Sequence, residues 1–122
     1  MANKLENIVQ MASNTAAEIT RNIENWTGFL ATAANLYRYS FPDQLLIHAQ
    51  RSNNVKACAE FDVWTKRMKY YVRRGARGIA LVDVRDGRPS LRYVFDIADT
   101  GVKHLLAALQ QAYNLFHLNQ LL

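Results

Sequence analysis

A chain of 122 residues, half of them apolar and a fifth charged, has the size and composition of one globular domain with a buried core. Its longest apolar runs, such as Leu105 to Leu109, are far too short to span a membrane, and no signal-peptide core follows the first residues, so a cytoplasmic location and no membrane partner are expected. The net charge is +5, and a lone Cys58 with three scattered histidines offers neither an internal disulfide nor zinc-ligand spacing, so no metal or other cofactor is expected.

Residues 1–13 are polar and weakly patterned, a lead-in or a short helix. From Thr15 a helical period sets in. Ile19, Ile23, Trp26, Leu30, Ala33 and Tyr37 recur at steps of three and four, predicting one helix over 15–37 with a single apolar stripe. Ser40-Phe41-Pro42-Asp43 has the chemistry of a fresh helix start: a serine N-cap, proline in the first turn and a carboxylate at the positive end of the dipole. This second helix should turn Leu45, Leu46 and Ala49 inward and end near Arg51, with Ser52-Asn53-Asn54 as the turn after it. Val55 to Cys58 reads as extended, and 60–68 as a short third helix with Phe61 and Trp64 on one side.

The period then changes to that of strands. Tyr71-Val72, 78–84 and 91–97 are rich in β-branched and aromatic residues, separated by Arg73-Arg74-Gly75-Ala76-Arg77 and by Asp86-Gly87-Arg88-Pro89. Asp86-Gly87 is a strong two-residue hairpin signal. Asp99-Thr100 is expected to cap a last helix over 101–122, with Val102, Leu105, Leu106, Leu109, Tyr113 and Phe116 in phase. The class is α+β: N-terminal helices, a small antiparallel sheet with a basic glycine-containing hairpin, and a C-terminal helix. Leu118, Leu121 and Leu122 end the sequence on an apolar note, as a segment cut from a longer polypeptide or a tail docked on the core would.

Charge is concentrated in one place. Between Asp62 and Asp83 stand Lys66, Arg67, Lys69, Arg73, Arg74 and Arg77 with no acidic residue, while the rest of the chain holds nine cations against ten carboxylates. Trp64, Tyr70 and Tyr71 are interleaved with them. Cations that follow a phosphate backbone, beside rings that stack on any base, suit a single-stranded nucleic-acid site. A solvated helix face is the plainer alternative, but four of the six are arginines straddling a glycine turn. Trp64, three residues after Phe61, fits either a core position or a stacking platform.

The corner before Pro42 is dense in aromatics. Tyr37 and Phe41 read as a staple between the two helices, whereas Tyr39, Gln44, Gln50 and Arg51 are harder to explain as core. The ordered set Trp26…Leu30…Tyr37-x-Tyr39-Ser40-Phe41-x-x-Gln44-Leu45-Leu46-Ile47-x-Ala49-Gln50-Arg51, then Phe61-x-x-Trp64, then Val72-x-x-Gly75-x-x-Gly78-Ile79, resembles the N-terminal domain of ArdC-type antirestriction proteins. The likeness runs over roughly 24–100, giving a division into a lead-in (1–13), an ArdC N-terminal-like domain (14–100) and the C-terminal helix. It implies a non-enzymatic single-stranded DNA-binding module of plasmid or conjugative-element proteins, joined to other domains of a larger parent. Phe95 to Thr100 resembles the conjugative branch, where helicase or methylase-like regions follow. The family's metallopeptidase-like domain, with its His-Glu-x-x-His motif, is not in this sequence.

The expected interface therefore has Lys66, Arg67, Lys69, Arg73, Arg74 and Arg77 on phosphates. Tyr39, Tyr70 and Trp64 would stack on bases, with Gln44, Gln50 and Arg51 as hydrogen-bond donors. The alternative is a protein-interaction module whose basic face docks an acidic partner or a neighbouring domain. No catalytic residue is expected: Asp96 and Asp99 read as a strand end and helix cap, and no histidine has a partner visible in sequence.

Overall fold

The computed structural model describes residues 3–51, 55–102, 109 and 111–115. Three helices come first: α1 (Lys4–Ile19), α2 (Ile23–Asn35) and α3 (Phe41–Gln50). Strand β1 (Cys58–Ala59) precedes a π-helical turn, Val63–Arg67, and β2 (Tyr70–Val72). A long hairpin, β3 (Ile79–Arg85) and β4 (Arg88–Asp96), leads through the 3-10 turn Ile97–Asp99 into β5 (Thr100–Val102). The class is α+β, as expected, with positions 109 and 111–115 again helical.

The first two helices are not the single helix over 15–37 that the sequence period suggests. α1 starts at Lys4, on a capping box in which Asn3 accepts from Glu6 N and Glu6 reaches back to Asn3 N. The lead-in is therefore helical among its described residues. The chain breaks at 20–22, where Thr20 Oγ1 donates back to the carbonyls of Ala16 and Ala17 and Asn22 caps α2 by accepting from Asn25 N. The break also rotates the apolar stripe. Ile19 is buried, but Ile23, Trp26, Leu30 and Tyr37 are exposed, and α2 instead buries Phe29 and Thr32. Ser40 caps α3 as its sequence predicts, accepting from Asp43 N, and Arg51 is its C-cap. The turn expected at Ser52-Asn53-Asn54 lies outside the described residues.

Strand order is β1-β4-β3 in one antiparallel sheet and β2-β5 in a separate two-stranded ribbon. Arg85↔Arg88 closes the hairpin around Asp86 (φ 53°) and Gly87 (φ 75°), the two left-handed positions of a type I′ turn. Two expectations about pairing need correcting. The segment 73–78 is not a hairpin turn, because β2 pairs with β5 instead of β3. Thr100 does not cap a long helix, because Thr100–Val102 is that partner strand. Both follow from the same cause: three-residue strands are decided by long-range pairing, which local composition does not encode. Of the expected C-terminal stripe, Leu105, Leu106 and Phe116 lie outside the described residues, as do Leu118, Leu121 and Leu122; Leu109 and Tyr113 are exposed.

The main core joins Ile8 of α1, Leu36, Leu46 and Ile47 of the helix corner, Val55, and Ile79, Ala80, Leu81 and Val94 of the hairpin. Each large side chain buried this fully contributes roughly 2 kcal/mol. β3 is an edge strand, and α3 blunts that edge. Gln50 Nε2 donates to Ala80 O at 2.9 Å while Ala80 N donates to Gln50 Oε1 at 3.0 Å, so the side-chain amide replaces a neighbouring strand. Arg92 clamps the other end of α3, reaching Asp43 at 2.8 Å and Glu60 at 3.3 Å.

Two acidic hydroxyl and thiol groups sit beside this core. Burial pushes Tyr39 up from 10.0 to about 12 and Cys58 up from 9.0 to about 12, and the Tyr39 hydroxyl donates to Cys58 O at 2.8 Å. A raised folded value means that the unfolded chain releases these protons first. Their contribution to stability is thus complete below about pH 9 and is lost as pH rises from about 9 to about 12. Thermal denaturation should show Tm falling across that range, and Cys58→Ala should flatten the fall; an unchanged slope in the variant would refute the thiol's part. Burial conversely lowers His48, whose Nδ1 lies 2.8 Å from Thr32 Oγ1.

Candidate nucleic-acid interface

Around the two-stranded ribbon the six expected cations come together along the chain, three before β2 and three after it. Lys66 and Arg67 close the π-helical turn, in which Met68 N donates to Val63 O at 2.9 Å, one residue further back than an α-helix would allow. Lys69 then turns the chain into β2 with a left-handed φ of 62°, a conformation that costs a side-chain-bearing residue about 1–2 kcal/mol. On the far side, Arg73 N donates to Asp99 O, extending the ribbon by one bond, and Arg73 Nε donates to Thr100 O at 3.2 Å. A β-turn follows: Ala76 N donates to Arg73 O at 3.0 Å, and Gly75 at the third position has φ 88°, as a type II turn requires. Arg74 and Arg77 stand out from this turn.

All six cations are exposed. Lys66 has Asp62 at 3.6 Å, a solvated pair on one turn. Among the described residues, Arg67, Lys69, Arg73, Arg74 and Arg77 have no carboxylate within ion-pair distance. Outside the stretch Arg21, Arg51, Arg85 and Arg92 are paired with carboxylates, whereas Arg38 lies against Tyr37 and Arg88 has no ion pair among the described residues.

The expected hydrogen-bond donors are used within the protein. Gln44 Nε2 donates to Leu36 O and ties α3 to the end of α2, and Gln50 covers the edge of β3. Arg51 holds the cationic loop in place: one guanidinium nitrogen meets Asp99 at 3.0 Å and the other donates to Arg77 O at 2.7 Å. Asp99 in turn accepts from Asp96 N, while Asp96, 3 % exposed, accepts from Lys56 N, Ala57 N and Ala98 N. The two carboxylates are thus filled with structural bonds: Asp96 ends β4 and also caps the 3-10 turn, while Asp99 closes that capping box and does not cap a following helix.

The rings sort differently from expectation. Tyr39 is half-buried with its hydroxyl bonded to Cys58 O. Trp64 is core, 4 % exposed, with Nε1 donating to Phe95 O at 2.9 Å. Tyr70 stacks on Trp64 at 5.8 Å and 11°, which makes it the inward-facing residue of β2. In this conformation neither Trp64 nor the covered face of Tyr70 is open to a base. Phe61 is half exposed and lies edge-on to the Phe95 ring. Tyr37 projects beside Arg38, leaving Phe41 edge-on to Phe29 as the actual helix contact.

The outward ring of β2 is Tyr71, not the Tyr70 that the sequence suggests. Period-two alternation was the available signal, but its phase in a three-residue strand depends on which side finds a partner. Gly78 also has its own reason. A Cβ there would come within 3.0 Å of Tyr93, so this glycine makes room for a ring and not for a ligand. A cleft of about 870 Å³ lies among α1, α2 and the end of α3, and none of the six cations lines it. Among the described residues no cluster of His, Cys, Asp and Glu could hold a metal, and no helix is long and apolar enough to cross a membrane.

No protein-family model, curated protein or solved structure matches the chain.

Proposed function

We propose that the ribbon is the phosphate-tracking surface of a non-enzymatic module that binds single-stranded DNA without strong sequence preference. The observation that carries this reading is the set of five exposed cations without carboxylate partners, bracketing a single short strand. Among the described residues no carboxylate lies within ion-pair distance of these five, so their mutual repulsion is left for a polyanion to relieve. The likeness to ArdC-type N-terminal domains supports the same reading and suggests a parent protein of a plasmid or conjugative element.

The test is a titration of a labelled oligonucleotide at several salt concentrations. With four to six phosphates neutralised, log K against log salt should fall with a slope of roughly −3 to −4. A slope near zero would remove the electrostatic basis of the proposal.

A protein-interaction role has one observation in its favour. Ile23, Trp26 and Leu30 form an exposed apolar stripe on α2, with Tyr37 exposed just past its end, of the kind that marks protein contacts. That stripe is on a different element from the ribbon, so it supports contact with another domain of the parent without displacing the nucleic acid. An acidic protein docked on the basic face itself would instead compete with the oligonucleotide.

A further inference from the structure

We infer that Tyr71 and Gly101 together form a base-stacking subsite, with an unpaired nucleobase as its occupant; this rests on the single-strand reading above and adds a residue to it. Tyr71 is the cross-strand partner of Gly101. A Cβ on that glycine would come within 2.6 Å of the ring's Cζ and Oη, so the ring lies against bare backbone. Its outer part is left to solvent, at 42 % exposure. On the other side of β2, Tyr70 and Val72 are drawn inward, Tyr70 onto Trp64. The exposed ring is therefore backed by a strand that is itself backed by core.

The ring covers Gly101 across the ladder, as an aromatic beside a cross-strand glycine does, and still leaves its outer part open. Among the described residues the Tyr71 side chain makes no hydrogen bond, and its hydroxyl end meets a residue with no side chain. Its surroundings are those a nucleotide needs. Lys69 stands before the strand, and Arg73 follows Tyr71 by two positions, on a ladder that its own N–H extends to Asp99 O. A base laid on the ring would thus have its flanking phosphates within a cationic border. Stacking adds affinity that is indifferent to sequence and to salt, which the cations alone cannot supply.

The experiment compares a fluorescein-labelled oligothymidylate of about twelve nucleotides with an abasic strand of equal length and equal phosphate count. Wild type should favour the thymidylate about tenfold, in line with one or two stacked bases. Tyr71→Phe should keep that preference. Tyr71→Leu should erase it by weakening only the thymidylate, with the slope against salt unchanged. Gly101→Ala keeps the tyrosine but pushes its ring off the strand, and should fall between wild type and Tyr71→Leu. Equal preference in wild type and Tyr71→Leu, both folded by circular dichroism, would overturn the stacking subsite while leaving the cationic surface standing. Failure of wild type to bind either strand would overturn both.

Discussion

Replacing Asp96 with alanine is expected to cost about 3–5 kcal/mol of stability, because it removes the acceptor of three backbone donors at once. The carboxylate accepts from three backbone N–H groups, those of Lys56, Ala57 and Ala98, at 2.9–3.2 Å. Alanine would strand all three donors at a position only 3 % exposed. These donors join the strand after α3 to the 3-10 turn, which in turn places Asp99 against Arg51. Asp96→Asn should recover only part of the loss. One amide oxygen can serve Lys56 and Ala57, but the amide nitrogen would then face the N–H of Ala98, donor against donor. Urea denaturation measures both variants. A loss below about 1 kcal/mol for alanine, the value of one ordinary hydrogen bond, would refute the three-donor account.

That acidic pair shows why the fold was legible from the sequence only to its resolution in elements. Ser40 as a cap, proline in the next turn and Asp86-Gly87 as a hairpin are local chemistry, and each stands where its residues predict. The stripe through Ile23, Trp26, Leu30 and Tyr37 has correct helical spacing and yet faces solvent, because a break at 20–22 resets which side meets the core. Periodicity gives the angle between residues, not the direction of the core. The site divides along the same line. The cations were legible because charge without acidic neighbours is a property of composition. Gln44, Gln50, Arg51 and Trp64 were not, because each satisfies a partner distant in sequence: Leu36 O, the Ala80 backbone, Asp99 with Arg77 O, and Phe95 O. A polar residue with no evident local role is as often a tie between elements as a donor to a ligand.

The second large effect concerns binding and not stability. Arg74→Glu with Arg77→Glu should weaken single-strand binding by about 25-fold at 0.1 M salt, since two lost phosphate contacts change the exponent of the salt dependence by about 1.4. Repulsion from the new carboxylates would add to this. Arg74 lies within the type II turn, and among the described residues the bond that Arg77 contributes to the fold comes from its backbone carbonyl, which accepts from Arg51. The substitutions therefore remove charge without removing a structural bond, and Tm should stay nearly unchanged. The matched control is Arg85→Glu with Arg88→Glu, which makes the same change of net charge at the β3–β4 hairpin tip. If binding depends on where the cations stand, the salt slope of the ribbon variant becomes shallower by about 1.4 and that of the hairpin variant is unchanged. Equal losses in the two would mean that net charge alone attracts the strand, and the turn after β2 would have no special place in the interface.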